Sequence, residues 1–250
     1  MANHQHLSCV LLAQPTPLNI NAIAESYREL FPEGAILVDA TSNENFTELR
    51  TGPGSTTYVA SMPAPVPGGE AESHCPYSLE CLLGARPIES HGAHILVITR
   101  CEAPIDAESM KVHLRNAAAV AKAHEAIGIY LGGCGVTHNA DYFIEQVQSD
   151  DLPAAVLTGI SLANEAGGRL SILTRGLRHF DIEEFFVDLP SANMIDGIDF
   201  VLNLVNYVVG CGKQMADGDT LTYGDSERVQ VTYETSPFDP AEQVACVSLP

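Results

Sequence analysis

The chain has 250 residues, 46% hydrophobic and 18% charged, a globular balance that excludes a disordered chain and supplies enough apolar surface for a sizeable core. Lys+Arg number 12 against 32 Asp+Glu, a net charge of −20. Such a surface repels phosphate backbones and anionic lipids, so general nucleic-acid binding and membrane binding are excluded as expectations.

The charge suits solubility, or an acidic face for a basic protein partner. No apolar run approaches the roughly 20 residues of a membrane-spanning helix. The opening MANHQHLSCVLLAQP lacks the basic region of a signal peptide. The 7 cysteines are scattered without repeated spacing. Together these features predict a reduced, cytoplasmic protein.

In chain order, Ser8–Ala13 reads as a buried strand closed by Gln14, Pro15 and Pro17. Asn19 or Asn21 can cap a helix whose apolar positions run from Ile20 to Phe31, stopped by Pro32 and Gly34. Ala35–Val38 is the next strand, 43–54 a polar loop, and Thr56–Met62 another strand. The run PAPVPGG, Pro63–Gly69, is the best internal boundary, and Tyr77–Leu83 a short amphipathic helix. HILVIT, after Ala93, is a central strand. Asp106 caps a long Ala-rich helix after it, and Gly128–Leu131 is a further buried strand, so Ala93–Leu131 reads as β-α-β with parallel pairing. A helix at Asp141–Gln148 follows, then strands at Ala154–Leu162 and Leu170–Leu173 joined by a turn at Gly167–Gly168, and a strand at Phe185–Leu189. Met194–Val209 is a helix with Ile195, Ile198, Leu202, Val205 and Val209 on one face, ended by Gly210 and Gly212. Two strands, Val229–Tyr233 and Val244–Leu249, close the chain.

These elements make an α+β fold with mixed sheets, βαβ and hairpin units, helices packed on one face, and a βαββ-like unit that recurs. The chain divides into parts 1–68, 69–165 and 166–250, unless all three share one domain.

Three groups could carry chemistry. Cys134 and His138, in GGCGVTH after a buried strand, are candidates for a nucleophile–base pair, and Gly132–Gly135 for a phosphate cradle without the Walker ending. His74, Cys75, Cys81, His91 and His94 supply soft ligands, but only His91 and His94 have paired spacing, so no metal and no cofactor are expected. The corner TRGLRHFDIEE brings Arg175, Gly176, Glu183 and Glu184 together. Adjacent Glu183 and Glu184 point to opposite faces of a strand, and Arg175 is a natural cross-strand partner for a carboxylate, an architectural lock more than an active site.

From ILTRGLRHF through EEFFVDLP and FVLNLVNYVVGCG to ADGDTLTYG, roughly Leu170–Leu249, the chain resembles the uncharacterised bacterial domain-of-unknown-function family numbered 4261. It departs from that pattern at Asp181, where Gly follows Phe180 in the family, and at Phe186, where a second Glu stands. The resemblance implies a relative, not an activity. The expectation is a soluble interaction or accessory protein, immunity-like, with an unknown protein partner. The alternative is an enzyme working at Gly132–His138 or at Arg175 and Glu184.

Overall fold

β1 (Gln5–Leu12) is the axis of the first sheet. His6, Ser8, Val10 and Leu12 face one side of it, and Leu7, Cys9 and Leu11 the other. α1 (Ile20–Leu30) follows, capped by Asn19, whose Oδ1 accepts the Ala22 N–H at 3.0 Å. Next come β2 (Leu37–Val38), β3 (Phe46–Arg50) and β4 (Ser55–Met62). The segment 43–54 therefore contains a strand, with Thr47 and Leu49 buried and Phe46, Glu48 and Arg50 on the outer face. Short helices α2 (Glu70–Ser73) and α3 (Leu79–Leu82) precede β5 (Ala93–Cys101) and α4 (Ala107–Ala123). Asp106 and Ser109 form a reciprocal capping box on α4. The structure, a computed structural model, describes residues 5–33, 37–38, 43–51, 55–86, 88–102, 104–149, 151–224, 227–236 and 239–250. Ala35 and Ile36 of the expected second strand lie outside them.

β6 (Gly128–Leu131) and β7 (Val136–Asn139) complete a seven-stranded sheet of order β2-β3-β4-β5-β1-β6-β7. β1 pairs antiparallel with both β5 and β6. β5 and β6 thus run parallel without touching, which corrects the expectation of a directly paired β-α-β unit: the crossover through α4 spans an inserted strand. The order β4-β5-β1-β6 is that of a split β-α-β arrangement. The helices α1 and α4, with α5 (Ala140–Val147), cover the Val10 face, while α2 and its flanking turns cover part of the Cys9 face.

The second sheet begins after α6 (Ala154–Leu157), a helical turn where a strand was expected. β8 (Gly159–Glu165) and β9 (Arg169–Arg175) form the hairpin expected at Gly167–Gly168, both with positive φ. β10 (Phe185–Pro190) and α7 (Met194–Cys211) follow, then a separate hairpin of β11 (Thr220–Tyr223) and β12 (Glu227–Gln230). β13 (Thr232–Thr235) and β14 (Gln243–Ser248) finish the order β13-β14-β10-β9-β8, with β10 and β14 parallel. The expected strand Val229–Tyr233 is split at Val231 between two sheets.

β3, β4 and β5 pair in sequence with α4 next and β6 parallel to β5, and β8, β9 and β10 pair in sequence with α7 next and β14 parallel to β10 after three further strands, so the likeness between the halves is not the expected βαββ unit. One apolar cluster extends from Val10 to Leu249.

α7 buries Ile198, Val201, Leu204, Val205, Val208 and Val209 on the second sheet and α6. Ile195, expected on that face, is 52% exposed because it lies well round the helix from the Val201–Val205–Val208 stripe. By length and a mean hydropathy of 1.4 α7 could cross a membrane, but its apolar stripe is taken up by packing within the fold.

Candidate functional site

β9 ends in a tight corner. Gly176 at φ +109° and Asp181 at φ +57° bracket a single 3-10 turn, Leu177–Phe180. A Cβ at Gly176 would sit 2.8 Å from the Cys134 carbonyl oxygen and 2.9 Å from that of Leu157, so both its torsion and its surroundings require glycine. Asp181 takes a left-handed torsion that glycine adopts freely and aspartate tolerates. This bend aims successive N–H groups at one point. Gly176 at 2.8 Å, Leu177 at 2.9 Å and Arg178 at 3.4 Å all donate to Glu184 Oε1. Thr174 Oγ1 donates to Oε2 at 2.7 Å and accepts the Phe185 N–H at 2.8 Å. The corner is an anion cup filled by the protein's own carboxylate. Burial pushes the Glu184 carboxyl above its ordinary range, and the four donors hold it back.

The expected Arg175–Glu184 lock is therefore corrected. Regular strand begins only at Phe185, so Glu184 is free of the pleat and folds back into the cup. Arg175, half-buried, donates from Nε to Ser161 Oγ at 2.8 Å and lays its guanidinium over the Tyr77 ring at 4.2 Å, a stack worth about 1 kcal/mol. Glu183 pairs instead with Arg178 at 2.8 Å.

The Gly132–His138 loop does not assemble a nucleophile. Cys134 is buried, and burial, then the nearby Glu184 charge, pushes its thiol up to about 12. His138 Nε2 donates to the Val156 carbonyl at 2.9 Å, and Nδ1 lies 3.4 Å from Glu80 Oε2. Among the described residues no hydrogen bond joins it to Cys134. Gly133 is needed for close approach, since a Cβ there would overlap the His179 ring. With iodoacetamide at pH 8 the exposed Cys211 is expected to be carbamidomethylated while Cys134 stays intact. Mass-spectrometric detection of rapid Cys134 labelling in folded protein would restore the Cys–His reading.

Among the described residues no three metal-binding side chains converge. His91 Nε2 accepts the Val66 N–H at 2.7 Å, which leaves its Nδ1–H for Glu72 at 2.7 Å. His94 Nδ1 donates to the Ala64 carbonyl at 2.8 Å. Both histidines tie the 64–72 segment to the sheet.

The buried polar constellation lies elsewhere, on the α4 side of the first sheet. Asn116 Nδ2 donates to Thr57 Oγ1 at 2.8 Å, Thr57 lies 2.7 Å from Thr99 Oγ1, and Thr99 lies 2.9 Å from His113 Nδ1. His113 Nε2 is 2.6 Å from Ser8 Oγ. One direction satisfies the run, each hydroxyl passing its proton onward, so that His113 Nε2–H donates to Ser8. Beside it His6 stacks on His113 at 5.4 Å, and its Nδ1 lies 2.9 Å from His179 Nε2. Ser8 and His113 have nucleophile–base spacing, but they are 0% and 1% exposed, beyond reach of any substrate. The signal for this network was His6 and Ser8 alternating with Leu7 and Cys9 along a buried strand.

The described residues form several concave surfaces, among them the following two. One, about 810 Å³, lies between α7 and β11, lined by Phe200, Tyr207, Leu221 and Tyr223 with Asp196 and Asp199. Phe200 and Tyr223 meet edge to face at 5.6 Å. The other, about 530 Å³, lies on the Cys9 face of the first sheet. Comparison with family models, with curated proteins and with solved structures finds no match.

Proposed function

We propose that this protein is a non-catalytic interaction protein, an accessory or immunity-like partner, and that the α7–β11 groove docks a cationic, apolar segment of another protein. The observation that carries this reading is the groove's lining among the described residues: aromatic and aliphatic side chains, two carboxylates, and no lysine or arginine. Tyr207 at 58% and Ile195 at 52% exposure add large apolar surface along the same helix. Charge complementarity with a chain of net charge −20 selects a basic partner and speeds its encounter. A binding role is also supported by the separation of Cys134 from His138 and of Arg175 from Glu184, the pairs on which catalysis would depend. Membership of the family numbered 4261 is part of this proposal. It draws support from Asp181, whose positive φ suits the glycine that the family carries there.

A photo-crosslinking amino acid placed at Tyr207 should trap a discrete protein adduct in cells of the source organism, absent when the probe is at exposed Leu83. Asp196→Lys with Asp199→Lys should abolish that adduct. An adduct that survives both charge reversals, or no adduct at position 207, counts against the groove.

A further inference from the structure

The 530 Å³ cleft on the Cys9 face offers a different kind of site. Its floor is apolar: Leu7 and Cys9 of β1, Leu96 of β5 and the Tyr130 ring of β6. Strand register sets its length. His94 stands opposite Leu11 and Leu96 opposite Cys9, and Gln5 closes the other end. Six residues of extended chain separate Leu11 from Gln5, a trough of roughly 20 Å.

Two of the polar groups along this trough, Glu70 and His94, present acceptors, and the amide of Gln5 at its end can both donate and accept. Tyr130 donates its hydroxyl to Glu70 Oε1 at 2.6 Å, which fixes the carboxylate beside the floor. His94, only 7% exposed, has given its Nδ1–H to Ala64, so Nε2 presents a lone pair, and no described residue donates to it. At the far end His179 packs against Gly133. Among the described residues no lysine or arginine lines the cleft. An elongated apolar floor with a carboxylate and a lone pair spaced along it complements N–H donors spaced along a hydrocarbon chain.

We propose that this cleft binds a linear aliphatic polyamine, its methylene segments on Leu7, Cys9 and Leu96 and its ammonium groups on Glu70 and His94. A single amine would satisfy one acceptor and leave the other unmatched. A neutral diol would match the length without the charge.

Isothermal titration of the full chain with spermidine at about 0.15 M salt, where long-range surface attraction is screened, tests this directly. One-site binding is expected, at least tenfold weaker in Glu70→Gln, which keeps an acceptor for Tyr130 and is exposed enough to fold normally. Glu108→Gln, on the outer surface of α4, should bind as the parent does. Hexane-1,6-diol should not compete. In a histidine ring NMR spectrum of the parent, the His94 Nε2 resonance should shift on saturation. Weak multi-site binding equal in all three proteins would reveal only attraction to an acidic surface and overturn the proposal. So would absence of heat, or a His94 signal unmoved at saturation.

Discussion

Glu184→Ala is expected to lower the free energy of unfolding by about 3–5 kcal/mol, read from urea denaturation at pH 7.5. The substitution leaves the converging N–H groups of Gly176, Leu177 and Arg178 with no acceptor, in a corner too tight to turn them toward water. Each unpaired buried donor costs about 1–3 kcal/mol, the half-buried ones least. Glu183→Ala, one residue away, removes only a partly exposed pair with Arg178 and should cost less than about 1 kcal/mol. The contrast between neighbours is the test: equal, small losses would mean that the cup does not hold the corner. Glu184→Gln should fall between them, because one amide oxygen can still accept.

Acidification is expected to destabilise the fold steeply below about pH 6.5. Burial first, then the neighbouring His179, pushes His6 down to about 3 against a smaller opposing pull from Asp106. Burial, then His6 and His179, also holds His113 well below its ordinary value, and burial lowers His179 against Asp181. In the unfolded chain each imidazole takes its proton near pH 6.5, but in the folded chain it does not. The unfolded state therefore binds more protons below that pH. The contribution is fully favourable to folding above it and is lost as pH falls toward the folded values. At about 1.4 kcal/mol per histidine per pH unit, His6 costs about 2 kcal/mol by pH 5, and His113 adds to it in the same direction. Urea midpoints at pH 8, 6.5 and 5 measure this. His6→Gln should be less stable than the parent at pH 8 yet show a shallower fall to pH 5. Parallel pH profiles for parent and variant would show that His6 does not set the acid limit.

Elements carried by local signals were legible: HILVIT as a strand, the Asp106-capped helix, the Gly167–Gly168 hairpin, and the helix that opens at Met194. What was not legible is non-local. Nothing within Ala93–Leu131 announces that β1 slides between its two strands, because that pairing is decided by residues about 90 positions away. Phe46–Arg50 was hidden because a strand with one aqueous face resembles a loop when its outward residues are Glu48 and Arg50. The corner is visible in the sequence as a cluster of charges, but how those charges are held is not. Side-chain charges are visible in a sequence, whereas the row of N–H groups that holds Glu184 exists only after Gly176 and Asp181 turn the backbone. The His6–His113–His179 cluster joins a strand, a helix and a turn from both halves of the chain, and no spacing rule connects them.

The insertion of β1 between β5 and β6 has a consequence for synthesis. β1 leaves the ribosome before both of its neighbours: it has no lateral partner until β5 has been made, and its other edge stays open until Gly128–Leu131 emerges. During that interval an apolar strand with two bare edges must be kept from pairing with other nascent chains. His6 and Ser8, polar at alternate positions, interrupt what would otherwise be an unbroken run of adhesive residues. They become buried only when α4 arrives to receive them.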